Sequence, residues 1–325
     1  MTDERFSIDV LLPPDHRRAA MAADAEAGLT ASPKTLPPVW FYDEHGSELF
    51  DEITRLPEYY PTRAERSILA ERAAEIVDRA QANVLVELGS GTSDKTRLLL
   101  DAMADAGRLH RFVPFDVSEE TLRHAAADIT AAYDIPVHAI VGDFHRHLGA
   151  IPRGDRRIVA FLGSTIGNLN PAQRRRFFFD LDASLDYDDW LLLGTDLVKD
   201  PARLVAAYDD ASGVTAAFNR NVLGVLNREL GAHFDLEAFD HVARWNDADR
   251  WIEMRLRSRD EQLVAIDDLA LKVPFAPGEE VLTEIAAKFT AERVREELWD
   301  CGFVVEAGWT DPDGDFLLSL AHPYC

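Results

Sequence analysis

The sequence predicts an α/β fold: a parallel, Rossmann-like sheet with helices on both faces, carrying an inserted α+β domain. Three observations predict it. Short apolar strands alternate with helical segments between residues 83 and 197. That alternation stops between residues 198 and 288, a span too long for a simple loop. It ends, from residue 289 on, in one helix and two strands.

The elements follow in order. The first forty residues mix polar and apolar types and end in Pro33, Pro37 and Pro38, which interrupt any helix. Trp40 to Glu65 is dense in aromatics, and Pro57 and Pro61 bracket Tyr59 and Tyr60 in a turn. Ile68, Leu69, Ala73 and Ile76 give helical spacing over residues 64 to 80. Five strands then read as VLVELG (84–89), RFVPFDVS (111–118), HAIVGDF (138–144), RRIVAFLGS (156–164) and DWLLLGTDL (189–197). Helices are expected at 95–106, 119–133 and 171–185.

In the inserted stretch, 201–217, 219–230 and 236–242 read as helical, and 251–257, 262–264 and 269–275 as strand-like. Residues 290–299 read as a helix, and 303–310 and 315–322 as strands joined by the turn Asp311-Pro312-Asp313-Gly314. The expected domains are therefore 1–64, 83–197 and 289–325 for the sheet, and 65–82 with 198–288 for the second domain.

Composition narrows the function. The net charge of −24 disfavours phosphate backbones, so no nucleic-acid partner is expected. No apolar run reaches the roughly 20 residues of a membrane helix, and MTDERFSIDV does not read as a secretory leader. A cytoplasmic monomer is the expectation. The two cysteines, Cys301 and Cys325, allow one bridge at most and no CxxC pair. His145 and His147 lack the spacing of a metal site and are read as surface residues, so no metal is expected.

The sharpest local signal is ELGSGTSDKT, following a strand and leading into a helix. Gly89 and Gly91 permit a tight turn and close approach of a ligand. By itself such a turn serves several nucleotide cofactors. Here Asp94 stands where a dinucleotide fingerprint has its third glycine, and the Gly-Lys-Ser/Thr of a phosphate loop is missing. Glu87, Ser90 and Lys95 instead suit a ligand tail with a carboxylate and an ammonium, as in S-adenosylmethionine. Asp116 ends the second strand, where a carboxylate grips ribose hydroxyls. Asp143 and Phe144 end the third, where an acid accepts from the adenine amine and a ring stacks on the base. Each acid alone is equally well a helix cap or a solvated loop residue. Three such positions at successive strand ends point to one ligand site. Gly163, Gly167 and Asn168 follow the fourth strand, as a helix-capping turn or as a wall between cofactor and substrate.

Longer blocks carry a resemblance. LPPVWFYDEHGSELFDEITRLPEYYPTRAE, VELGSGTSDKTRLLLDAM, FLGSTIGNL, LLLGTDLVKD, YDDASGVTAAFNRNVL and GEEVLTEIAAKFT resemble the bacterial histidine Nα-methyltransferase family of ergothioneine biosynthesis, from about residue 24 to the C-terminus. The resemblance implies a class I methyltransferase sheet with an inserted substrate-binding domain. It also implies three methyl transfers from S-adenosylmethionine to the α-amine of L-histidine, giving hercynine. Carried over by position, it implies cofactor contacts at Gly89, Lys95, Asp116, Asp143 and Phe144, with Tyr42 and Phe50 closing over the cofactor. Tyr59, Gly163, Asn168 and Tyr208 would surround the amino-acid backbone. Glu284 would face the imidazole, with Met254 lining that pocket. Ala286 departs from a serine common in the family. A missing neutral hydrogen bond costs about 0.5–1.5 kcal/mol, so histidine binding up to about tenfold weaker is expected unless water or Thr283 substitutes. Ala286 also leaves another amino acid, such as tryptophan, open as the substrate, and a non-catalytic S-adenosylmethionine sensor is the alternative of a different class.

The chemistry itself sets further expectations. An attacking amine must be neutral. Tyr59, with an ordinary pKa near ~10, suits positioning better than proton abstraction. Asn168 and Tyr208 can hold the substrate carboxylate or amine. Phe50 and Tyr59 can stabilise cationic groups by cation–π contact.

Overall fold

The computed structural model describes residues 5–13, 15–91 and 95–324. Asp94 and Cys325 lie outside the described residues. In chain order the elements are β1 (Phe6–Val10), α1 (His16–Thr30), β2 (Lys34–Thr35), α2 (Glu44–Ile53), α3 (Pro61–Ala80), β3 (Val84–Leu88), α4 (Arg97–Asp105), β4 (Arg111–Asp116), α5 (Glu119–Tyr133), β5 (Val137–Val141), β6 (Arg157–Phe161), α6 (Pro171–Asp182) and β7 (Trp190–Asp196). They continue with α7 (Pro201–Tyr208), α8 (Val214–Leu230), β8 (Phe239–Asn246), β9 (Trp251–Ser258), β10 (Gln262–Ile266), β11 (Leu271–Phe275), β12 (Glu280–Ala287), α9 (Ala291–Trp299), β13 (Phe303–Thr310) and β14 (Phe316–Pro323).

The chain divides into two compact units: Met1–Pro13, Pro61–Leu197 and Phe289–Cys325 form the first, and Pro14–Tyr60 with Val198–Lys288 the second. The first holds one sheet of order β1-β5-β4-β3-β6-β7-β14-β13. Neighbours from β1 to β7 run parallel, and β14 runs antiparallel to both β7 and β13. Strand order reverses at β3, between β4 and β6, which is where α/β sheets bind ligands. β3 and β6 are buried at every residue, which is why they read as largely apolar runs, broken only by Glu87 and Arg157. All five predicted parallel strands and the final hairpin are present.

The second unit holds a four-stranded sheet of order β2-β12-β9-β8 and the hairpin β10–β11. Its core includes Met21, Phe41, Phe218, Val222, Met254 and Val281. Among the described residues, no helix is long and apolar enough to cross a membrane.

Four expectations need correction. Residues 14–60 belong to the second unit, because β2 pairs in parallel with β12 and α1 and α2 pack on α8. Residues 65–82 belong to the first unit, because Ile68, Leu69, Ile76 and Val77 of α3 bury into the sheet's core with Leu99 and Phe316. The expected helix 201–217 is two helices. Between them Asp210 accepts from the backbone of Val214 and Thr215 at 3.1 and 2.7 Å, and Gly213 takes φ +78°. Finally, 236–242 is a short 3-10 turn followed by β8, whose ladder with β9 overrides local helical spacing.

Candidate functional site

In the first unit, Gly89 and Gly91 take left-handed φ values of +68° and +49°, and among the described residues no atom beyond their chain neighbours lies within 4 Å of where a Cβ would stand. The turn is thus backbone bordering open space. Glu87 at the end of β3 is buried and accepts from Ser90 Oγ at 2.7 Å and from Thr96 Oγ1. The Ser90 hydroxyl thus gives its proton to Glu87 and keeps lone pairs that can accept.

Asp116 closes β4. Its carboxylate accepts from the backbone N–H groups of Gly91 at 3.1 Å and Ser118 at 3.0 Å. Desolvation raises its pKa, and the N–H donors of Ser118, Gly91 and Val117 oppose the rise. The same carboxylate thus ties the glycine turn to the second strand and keeps acceptor capacity for hydroxyls. Past β5, Asp143 Oδ1 accepts from His145 N–H at 2.8 Å. His147, expected on the surface, is half-buried, and its Nδ1 accepts from Asp143 N–H at 3.1 Å. It braces the loop that carries Asp143. Phe144 stands edge-on to Phe161 with ring centres 5.3 Å apart.

Sequence reasoning missed Glu65. It is wholly buried, accepts from Gly163 N–H at 2.8 and 3.0 Å, and pairs with Lys95. One carboxylate from α3 thereby fixes the lysine of the glycine turn and the end of β6. Gly194 on β7 makes room for it, since a Cβ there would stand 2.2 Å from Glu65 Oε1. The only sequence signal was an acid on the buried face of a helix, which a solvated face explains as well. Asn168, half-buried after β6, is not a helix cap. Asn170 caps α6 in a capping box with Gln173. Among the described residues the Asn168 amide makes no hydrogen bond.

In the second unit, Tyr42 and Phe50 pack edge-to-face at 5.6 Å in an aromatic group with Phe218. Tyr59 lies 6.3 Å from Phe50 and 6.2 Å from Tyr208, centre to centre, and is half-buried. Its neighbour Tyr60 is buried and accepts from Lys199 Nζ at 2.6 Å. Tyr208 ends α7. Its backbone carbonyl faces His241 Nε2 at 2.8 Å, and Asn219 Nδ2 meets His241 Nδ1 at 2.8 Å. Burial lowers the His241 pKa, against the opposing effect of the Tyr208 carbonyl. A neutral ring donating to Tyr208 and accepting from Asn219 satisfies both contacts.

Glu284 lies on β12 directly opposite Met254 on β9, and Ala286 opposite Ile252. The structure therefore brings Glu284, Met254 and Ala286 onto one face, as the sequence reading required. Glu284 is buried, and among the described residues no hydrogen bond reaches its carboxylate. Desolvation pushes its pKa up to about 7, with the Lys288 charge opposing. Thr283 does not stand in for a serine at 286. Its hydroxyl is engaged by Asn219 Oδ1 at 2.7 Å and the Met254 carbonyl at 2.9 Å.

The first-unit residues fit S-adenosylmethionine: an open glycine turn, carboxylates at two successive strand ends, and a ring beside the second. Comparison with known proteins agrees. A model of the family described as histidine-specific methyltransferase, SAM-dependent, matches residues 21–323. A histidine N-alpha-methyltransferase of Mycolicibacterium smegmatis is 60% identical over 97% of this chain and 99% of its own. One from Mycobacterium tuberculosis is 55% identical over 98% and 99%. Ergothioneine biosynthesis protein 1 of Neurospora crassa is 32% identical over 67% of this chain, which spans 26% of that longer protein. The chain belongs to the family of SAM-dependent, histidine-specific methyltransferases.

Proposed function

We propose that the protein transfers methyl groups from S-adenosylmethionine to the α-amino group of L-histidine, three in succession, yielding hercynine for ergothioneine biosynthesis. The observation that carries this reading is Glu284: a buried carboxyl that, among the described residues, accepts no hydrogen bond, opposite Met254. An imidazole supplies what such a group needs, an N–H donor with a titratable partner. The names of the mycobacterial relatives support the same substrate.

The cofactor, when bound, supplies a methyl group on a sulfonium leaving group. The chain's own residues bind, orient and exclude water. Asp116 holds ribose hydroxyls, Asp143 the adenine amine, and Phe144 stacks on the base. Lys95 and Ser90, in the same unit, attend the methionyl end. In the second unit, which also holds Glu284, Tyr208 receives the amino-acid backbone. Tyr59, in the same unit, would orient the amine, whose proton leaves to water before its lone pair can react. No side chain has to act as a strong base, because each methylation needs only one proton lost to solvent.

The deciding assay offers the purified protein S-adenosylmethionine and the twenty amino acids, and scores products by mass. Histidine gaining three methyls is the expected result. Methylation of tryptophan or another amino acid instead would overturn the role of Glu284 and keep the cofactor site. Cofactor binding with no product would favour a sensor. In parallel, Glu284→Ala should weaken histidine binding far more than cofactor binding. Equal loss of both would remove Glu284 from the substrate site.

A further inference from the structure

We infer that Thr283 and Asn219 are positioning residues for Glu284: they pin a one-residue bulge in β12 that sets which side chain stands opposite Met254. The inference rests on Glu284 as the partner of the imidazole and adds what holds that carboxyl in place.

The ladder between β9 and β12 is irregular at one point. Val281 stands opposite Leu256 and Leu282 opposite Arg255, but the next pair is Glu284 with Met254, followed by Ala286 with Ile252. Thr283 is the extra residue of a bulge. Burial changes step at the same place: Val281 and Thr283 are buried before it, Glu284 and Ala286 after it, and Leu282 and Ile285 are half-buried. In a straight ladder Thr283 would stand opposite Met254 and Ile285 opposite Ile252. Glu284 would then turn to the other face, beside Glu253. That register competes strongly, because it buries Ile285 in place of Ala286 and takes a desolvated carboxyl off the buried face.

Two side chains hold the bulge against it. The Thr283 hydroxyl lies 2.9 Å from the Met254 carbonyl and 2.7 Å from Asn219 Oδ1. Asn219, on α8, is wholly buried. Its Nδ2 donates to the Arg255 carbonyl at 3.1 Å and to His241 Nδ1 at 2.8 Å. Both amide protons are thus committed, which turns the amide oxygen to Thr283. Met254 and Arg255 are the β9 residues that flank the bulge, so side chains meet both carbonyls where the ladder is interrupted. Straightening the strand would pull a buried hydroxyl from its partners. Valine at 283 keeps the branched shape without these bonds, and serine keeps the hydroxyl.

The experiment uses the full-length protein and measures the affinities of histidine and S-adenosylmethionine by calorimetry. Thr283→Val should weaken histidine about tenfold, and Thr283→Ser should restore most of it. Cofactor affinity should stay within about twofold in both. In Glu284→Ala the same Thr283→Val change should cost less than about twofold, since an absent carboxylate cannot be misaimed. Asn219→Ala should follow Thr283→Val, and keeps the question answerable if the valine variant does not fold. A loss of equal size with and without Glu284, or no loss in the wild type, would overturn the inference. Carbon NMR of the Glu284 carboxyl reads its placement without substrate. In the wild type it should titrate at about 7, where desolvation outweighs the Lys288 charge. In Thr283→Val it should return towards the ordinary carboxylate range. An unchanged titration would overturn the inference as well. If Glu284→Ala leaves histidine affinity untouched, the histidine reading falls, and this titration alone decides what pins Glu284.

Discussion

At the scale of single residues, two side chains of β12 make quantitative claims. Glu284 has its pKa raised to about 7 by desolvation, with Lys288 opposing. The substrate imidazole has an ordinary pKa near ~6.5. A complex between them holds one shared proton. Above about pH 7 both free partners have lost it, and below about pH 6.5 both carry one. Histidine affinity, read as Kd by calorimetry between pH 5.5 and 8, should therefore peak in between and fall on both sides. In Glu284→Gln the high-pH fall should vanish, and affinity should only rise as the imidazole becomes neutral. A wild-type Kd that is flat across this range would show that no proton is shared. Ala286 makes the second claim. It is 4% exposed and faces the same way as Glu284. Ala286→Ser restores a hydroxyl at a site where Thr283 supplies none. It should tighten histidine binding by about 0.5–1.5 kcal/mol, up to about tenfold, with cofactor affinity unchanged. No gain would mean that water already fills the place of the hydroxyl. Both residues were legible only by likeness of whole blocks, since nothing in the spacing of TEIAAKF marks a buried acid.

At the scale of elements, the five parallel strands β3 to β7 were legible because they are mostly buried and largely apolar, whereas β1, exposed at the sheet's edge, was not. The glycine turn and the acids at strand ends followed from them. What escaped was whatever depends on a partner distant in sequence. β12 is half of a ladder with β9 and could not be seen alone. Glu65 looks like any acid on α3 until β6 and β7 are placed beside it. Its environment leads to a prediction about packing. In Gly194→Ala the new methyl would meet Glu65 Oε1 at 2.2 Å and the Phe316 ring at 3.1 Å. Phe316 is buried in the core, so the carboxylate must move. That releases Lys95 and leaves the Gly163 N–H without its acceptor. The cost should be on the order of 3 kcal/mol, as for other broken buried pairs. Glu65→Gln keeps an acceptor for Gly163 and removes the charge, leaving Lys95 without its counter-ion. Adding Lys95→Met should then recover part of the lost thermal stability. Chemical denaturation of the three variants and the double mutant measures it. If the double mutant is as unstable as the sum of the two single changes, Glu65 and Lys95 do not act as a pair.

At the scale of the whole molecule, the boundary between units was misread for one reason. The sequence suggests that what comes before the glycine turn belongs with it. In the structure, residues 14–60 leave to complete the second unit through β2, and α3 returns to the sheet. Parallel pairing of a two-residue strand with one lying far along the chain has no local signature. The second unit that results concentrates the perturbed acids, and its stability should carry their mark. Glu253 resists protonation. Its burial raises the pKa, but hydrogen bonds from Asn246, Trp251, Arg244 and Arg255 outweigh that and hold it at about 2. Its contribution is complete above the ordinary carboxylate range and is lost as pH falls through about 2. Glu284 has the opposite sign. The folded state binds its proton more tightly than the unfolded chain does, so the stability it confers is complete below about pH 4.5 and is lost as pH rises to about 7. The shift amounts to at most about 3 kcal/mol across that window. Measured without substrate, Glu284→Gln should therefore gain on the wild type steadily from about pH 4.5 to about pH 7 and hold a constant lead above it. With saturating histidine the lead should shrink or reverse, because the bound imidazole gives the carboxylate the partner that folding alone does not.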